Sequence, residues 1–206
     1  MAAVKVKICG ITRVEDALAA VRLGADALGF NFWPRSKRHL PPAEARAIVR
    51  RLPAFVTAVG VFVDPSREEV LRALDQSGVG VAQLHGDEPP ALCASLPVPV
   101  LKAIRLDGPH ALPQLASYEV QGFLLDAPSA GYGGSGTTCD WGLAAEVARE
   151  LPIVLAGGLT PENVADAVRA VRPWAVDVAS GVESAPGVKD AERMRLFVER
   201  AKEAVR

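Results

Sequence analysis

A thiol, a carboxyl group, an imidazole and two glycine-rich turns each stand at or just past the end of a short apolar run in this chain. Cys9 closes such a run within Lys7-Ile8-Cys9-Gly10-Ile11-Thr12, His85 follows Gln83-Leu84, and Asp126 follows Phe123-Leu124-Leu125. Two readings stand for Cys9. It is a small apolar core residue, since free cysteine is among the most buried residue types, or it is a thiol at the lip of a site, where cationic or dipolar neighbours favour a proton-accepting thiolate. Asp126 either caps a loop or donates a proton. A charge closing so apolar a run needs a reason, and a carboxyl group partly walled from water holds its proton long enough to deliver it. On the chemical reading the two form an acid–base pair.

Two further segments suit an anion. Ala156-Gly157-Gly158-Leu159-Thr160 and Ala179-Ser180-Gly181-Val182-Glu183 are ordinary turns or, taken together, a phosphate site whose backbone N–H groups approach the anion with help from a helix N-terminus. In Ser36-Lys37-Arg38-His39, Lys37 reads as solvated, whereas the Arg38 guanidinium suits a bidentate grip on a carboxylate.

The elements that must position these groups alternate from end to end. Apolar, β-rich runs at 4–9, 25–32, 56–64, 79–85, 98–104, 122–126, 152–156 and 175–179 predict strands; amphipathic stretches at 14–23, 42–52, 66–76, 90–96, 110–116, 142–150, 161–171 and 190–205 predict helices. Helix starts carry their signals, among them Asp64-Pro65-Ser66 ahead of Glu68-Glu69, and Thr160 as N-cap with Pro161 in the first turn. Strands apolar on both faces, each followed by a helix, predict a parallel sheet closed into a (β/α)8 barrel, an α/β TIM barrel. Its active site then lies at the carboxyl ends of the strands, where the residues above fall. An open doubly wound sheet is the alternative, but Gly131-Tyr132-Gly133-Gly134-Ser135-Gly136 is a poor dinucleotide fingerprint, lying past its strand and late in the chain. A glycine-rich lid after the sixth strand fits it better.

The 206 residues suit a single domain, residues 1–206. No run spans a bilayer and no charged-then-apolar leader precedes Val4, so a soluble, cytoplasmic protein is expected. Three widely spaced cysteines, Cys9, Cys93 and Cys139, lack disulfide or metal spacing, and three scattered histidines form no ligand cluster. The net charge of −1 supplies no basic field for nucleic acid. A small phosphorylated molecule is the expected partner, with neither nucleic acid nor membrane, in a monomer or homodimer. Phe55 and Leu52 either make a dimer contact or pack helices against the barrel, the second being the default.

Taken together, the segment 7–12, Gly29-Phe30-Asn31-Phe32 with Ser36 and Arg38, Gln83-Leu84-His85-Gly86, Asp126, and Val176-Asp177-Val178-Ala179-Ser180-Gly181-Val182-Glu183 resemble the phosphoribosylanthranilate isomerase family over the full length. The resemblance implies conversion of N-(5-phosphoribosyl)anthranilate to 1-(2-carboxyphenylamino)-1-deoxyribulose 5-phosphate by an Amadori rearrangement, the third step of the tryptophan branch from chorismate. It implies Asp126 as general acid and Cys9 as general base, with no metal and no cofactor required. Arg38 would hold the anthranilate carboxylate, Gly157, Gly158, Ser180 and Gly181 the phosphate, and Gln83 and His85 would line the pocket between. Cys139-Asp140-Trp141 departs from the family's Phe-Asp-Trp and puts the packing of the lid in question. Other sugar-phosphate barrels use a lysine or paired carboxylates at strand ends, and Lys102 stands inside the fifth strand, where no acidic partner is expected beside it. A non-catalytic binding barrel would need neither the thiol nor the carboxyl group. One expectation goes beyond the resemblance: Lys7 and Asp177 share inward parity on strands that adjoin in a closed barrel, so a buried ion pair is predicted, with Lys7 favouring the thiolate of Cys9.

Overall fold

The computed structural model describes residues 3–106, 108, 115–127 and 140–204. Eight parallel strands close in chain order: β1 (Lys5–Cys9), β2 (Ala27–Asn31), β3 (Thr57–Phe62), β4 (Val81–Leu84), β5 (Val100–Arg105), β6 (Gly122–Asp126), β7 (Ile153–Leu155) and β8 (Ala175–Val178). Each lies within two residues of its expected bounds. The sheathing helices among the described residues are α1 (Val14–Arg22), α2 (Pro42–Val49), α3 (Arg67–Ser77), α4 (Pro90–Ser95), α5 (Trp141–Ala148), α6 (Val164–Val171) and α7 (Ala191–Glu203). The helix expected at 110–116 falls almost wholly outside the described residues.

Two apolar cores follow from a strand's period of two. A large one lies between strands and helices, and a small one of Ala103, Leu124, Val154, Ala156 and Ala175 fills the barrel axis. Local signals set the helix ends. Ser66 and Glu69 form a reciprocal capping box on α3, and Gly78 closes that helix in the left-handed conformation. Asp140 and Asp190 cap α5 and α7 through Leu143 N–H and Arg193 N–H.

The structure corrects the sequence reading at several points. The N-cap of α6 is Asn163, not Thr160. Thr160 Oγ1 instead accepts from Glu162 N–H at 3.2 Å, and Thr160 N–H donates to Asn163 Oδ1 at 2.8 Å, so residues 161–163 form a turn ahead of the helix. A 3-10 turn (Ser180–Val182) and an antiparallel hairpin, β9 (Glu183–Ala185) and β10 (Val188–Lys189), follow β8. Sequence periodicity missed the hairpin because its strands are too short to alternate; Pro186-Gly187 was the available turn signal. Leu52 packs on the outer core, but Phe55 is 99% exposed. It stands with Trp174, 61% exposed, at the amino-terminal opening of the barrel.

Lys102 does have an acidic partner. Its neighbours Leu101 and Ala103 belong with the axial cluster, so alternation turns Lys102 outward. There its ammonium donates to Glu88 Oε2 at 2.7 Å and Gly86 O at 2.7 Å. Glu88 also accepts from Asp64 N–H and Gly86 N–H, both at 3.0 Å. The pair thus pins the loops after β3 and β4, beside His85. Both side chains are almost fully buried, and removing one partner of such a pair strands the other charge. Glu88→Ala should lose about 3–5 kcal/mol of stability, read as a lower urea midpoint at unchanged slope, and Glu88→Leu combined with Lys102→Met should recover most of it.

Candidate active site

The carboxyl ends of the strands surround one pocket. Cys9, Arg38, Gln83, His85 and Asp126 line it, together with the turn residues Gly157, Gly158, Ser180 and Gly181. Every residue expected at the site is therefore in one place. Asp177, Asn31 and Trp33 join them. Trp33 had no assigned role; its position before Pro34 in the loop after β2 was the only hint.

At the end of β1, Gly10 takes φ +74°, and a Cβ there would collide with Arg38 Cδ. The missing side chain lets Arg38 lie across the strand end. Gly29 on β2 has a similar function one strand over: a Cβ would stand 2.7 Å from Cys9 Sγ and 3.2 Å from Lys7 Nζ. Sulfur and ammonium share the space that this glycine leaves. Lys7 and Asp177 are register partners on β1 and β8, and Lys7 Nζ donates to Asp177 Oδ1 at 2.8 Å, both side chains buried. The buried ion pair expected from parity is present.

This cluster sets the state of the thiol. Burial pushes Cys9 above the ordinary cysteine range, Lys7 and Lys189 pull it back, and Asp177 opposes them; the net displacement is upward. At neutral pH the resting group is a thiol, so Lys7 moderates the cost of the thiolate without reversing it. Burial also works against the Lys7 ammonium, but Asp177 and Cys9 together carry it above its usual value, and it stays charged.

Across the mouth, Asp126 is held from two directions. Its Oδ1 accepts from Ala127 N–H at 2.8 Å and its Oδ2 lies 3.1 Å from His85 Nε2. His85 Nδ1 in turn is 2.9 Å from Gln83 Nε2. Gln83 thus holds the imidazole with its Nε2 edge facing the Asp126 carboxyl group. Among the described residues Gln83 Oε1 is buried without a hydrogen-bond partner. Gly157 and Gly158 both take the left-handed conformation, and a Cβ on Gly157 would stand 2.9 Å from Asp126 Oδ1. The turn after β7 thus brings bare backbone against the acid. Gly181, after β8, packs so closely on Leu159 O that any side chain is excluded.

Arg38 is already engaged: Nε and Nη2 donate to Glu183 Oε1 and Oε2, each at 2.7 Å. Glu183 Oε1 also accepts from the fully buried Lys189 ammonium at 2.8 Å. Neither Glu183 nor Lys189 was expected at the site. Among the described residues, no group of three or more His, Cys, Asp or Glu side chains is placed to hold a metal ion, and no helix is long and apolar enough to cross a membrane. The segment 131–136 and Cys139 lie outside the described residues.

Residues 6–200 match the family model of N-(5'-phosphoribosyl)anthranilate (PRA) isomerase. The isomerase of Trichlorobacter lovleyi is 53% identical over 204 residues, covering 98% of this chain and 100% of that one. The crystal structure of phosphoribosylanthranilate isomerase from Thermotoga maritima superposes with a TM-score of 0.92 at 45% identity, covering 97% and 99% of the two chains. Another solved form of that protein, at TM-score 0.88, 41% identity and the same coverage, is described as mutually generated monomers of a dimeric enzyme. A further isomerase structure, solved with reduced 1-(o-carboxyphenylamino)-1-deoxyribulose 5-phosphate, has a TM-score of 0.88 and 42% identity over 97% of this chain and 99% of that one. A closed (β/α)8 barrel with this strand-end pocket, matched along nearly its whole length, belongs to the phosphoribosylanthranilate isomerase family, enzymes of tryptophan biosynthesis.

Proposed function

We propose that this chain, as one catalytic domain working in the cytoplasm, converts N-(5-phosphoribosyl)anthranilate to 1-(2-carboxyphenylamino)-1-deoxyribulose 5-phosphate, the third step of the tryptophan branch, with Asp126 as general acid and Cys9 as general base. The observation that carries the reading is a single pocket in which a thiol on β1, an imidazole-held carboxyl group on β6 and glycine turns after β7 and β8 meet. Asp126 gives a proton to the ribose ring oxygen. The C1–O bond breaks as the nitrogen lone pair forms a cationic Schiff base. Cys9, once its own proton has passed to solvent, takes the C2 proton as the thiolate, and the electrons of that C–H bond neutralise the Schiff base as an enolamine, which tautomerises to the ketone. Two groups of different intrinsic acidity at different substrate atoms are what such a sequence needs. Arg38 keeps three N–H donors beyond the two given to Glu183, enough for the anthranilate carboxylate, and the turns at Gly157, Gly158, Ser180 and Gly181 suit the phosphate.

We infer further that two copies associate through the face carrying Phe55 and Trp174. These rings edge an apolar hollow of 610 Å³ whose lining includes Val59, Val81, Leu101 and Val154. Exposed large apolar groups beside an apolar hollow mark an interaction surface, a second copy of the chain covers both features at once by two-fold symmetry, and a solved relative is dimeric.

Three measurements test these readings. Turnover, followed as loss of phosphoribosylanthranilate fluorescence, should fall about 10²–10⁴-fold in Cys9→Ser and in Asp126→Asn; wild-type rates in both would overturn the assignment. In a Cys93→Ser/Cys139→Ser background, Lys7→Met removes a cation beside the thiol, so the midpoint of Cys9 alkylation by iodoacetamide should move about 1–3 pH units higher. Lys7→Arg should stay near the parent, and an unmoved midpoint in a folded Lys7→Met would show that Lys7 does not act on the sulfur. Phe55→Glu should shift sedimentation toward monomer with turnover unchanged.

A further inference from the structure

The barrel is complete at β8, yet the chain adds a hairpin there whose register sets Lys189 opposite Glu183. The turn is closed by Gly187 at φ +80°. Its effect is to bring both charged side chains to Arg38, which is 145 residues from Glu183 in sequence. Glu183 Oε1 receives three donors, Arg38 Nε at 2.7 Å, Lys189 Nζ at 2.8 Å and Gly187 N–H at 3.2 Å, and Oε2 receives Arg38 Nη2 at 2.7 Å. Lys189 is tied down as well: its ammonium donates to Ala179 O at 3.1 Å and its backbone N–H to Asp16 Oδ2 at 3.0 Å.

We propose that Glu183, backed by Lys189, is a positioning residue that aims Arg38 into the pocket and so sets the site's preference for a substrate whose aromatic amine carries a carboxylate. The proposal rests on the isomerase reading above. A free arginine loses most of its rotamer freedom when it is fixed, and ordering it before the substrate arrives removes that cost from binding. A fork held through Nε and Nη2 leaves the Nη1 donors for a second anion, and Arg38 lines the pocket where that anion would lie. Charge supports the same reading. Arg38 and Glu183 alone would cancel, leaving little to attract an anion; the buried Lys189 returns one positive charge to the group. Burial resists the Glu183 carboxylate, but the hydrogen bonds from Arg38 and Lys189 hold it below the usual carboxylate range, so it stays ionised.

The test compares two substrates made alike from ribose 5-phosphate, one with anthranilate and one with aniline, followed by phosphorus NMR. Wild-type and Arg38→Met enzymes fix how far the carboxylate is used. Glu183→Gln unties Arg38 and also adds a positive charge to the group, so the loss of aim must outweigh the added attraction: KM for the anthranilate substrate should rise about tenfold, and KM for the aniline substrate should stay as in wild type. Lys189→Met, which keeps the Arg38–Glu183 fork but removes the surplus charge, should weaken binding of the anthranilate substrate selectively and to a smaller extent, and serves if Glu183→Gln does not fold. An equal rise on both substrates, or a loss confined to kcat, would overturn the positioning role while the isomerase reading stands. A wild-type enzyme that did not distinguish the two substrates would remove the carboxylate assignment of Arg38 and this proposal with it; absence of turnover on the anthranilate substrate would remove the isomerase reading itself.

Discussion

The site depends on how the sheet closes. When β8 pairs with β1, Lys7 meets Asp177 in register, and the pair sits directly beneath the thiol. A lone ammonium at that depth would lose its hydration without return, and a lone carboxylate likewise. Only the closed register pairs the two charges, so the closure contact is also the electrostatic floor of the pocket. Small inward residues make this possible. Gly29 leaves room for the sulfur and the ammonium, and Ala103, Ala156 and Ala175 keep the axis narrow in volume around them. A barrel filled with large branched side chains at these levels would have no place for charge.

The same economy of side chains governs the rim. Gly10 admits Arg38, Gly157 admits Asp126, and Gly181 admits the backbone of Leu159. At each point a missing Cβ brings a functional group or a turn closer than any other residue allows, and Gly10 and Gly157 also adopt a left-handed backbone that favours glycine. Outside the barrel, the buried Lys102–Glu88 pair fixes the loop that carries His85, so the hydrogen bond between His85 and Asp126 rests on a support in the outer core.

What the sequence disclosed and what it withheld divide along physical lines. Cys9, His85 and Asp126 were legible because a strand's period of two and a barrel's polarity fix where strand ends point. Lys7 and Asp177 were legible for the same reason, since parity and closure alone make them neighbours. Glu88 as partner of Lys102 was not, because the contact depends on the path of the loop after β4. Glu183 and Lys189 were hidden by a hairpin too short to show alternation. Thr160 misled because Thr-Pro-Glu carries the signals of a helix start, while Asn163 supplied the side-chain oxygen and amide that organise the turn. Phe55 misled differently: an apolar residue after a helix reads as packing, and only three-dimensional placement shows it bare.

The charges around Cys9 also bear on the order of events. Lys7, Arg38 and Lys189 face it as cations, with Asp177 paired to the first and Glu183 to the other two. Counting these five groups, the resting thiol sees one surplus positive charge, which a thiolate would neutralise. A substrate carboxylate at Arg38 draws on the same surplus, so anion binding by itself makes the thiolate harder to form. Under the proposed reaction, ring opening supplies the remedy, because protonation by Asp126 creates a cationic Schiff base beside the sulfur. The positive charge that thiolate formation then needs is carried by the substrate. On this argument the acid step comes first: the buried thiol releases its own proton to solvent only once the cationic Schiff base stands beside it, and the resulting thiolate takes the C2 proton.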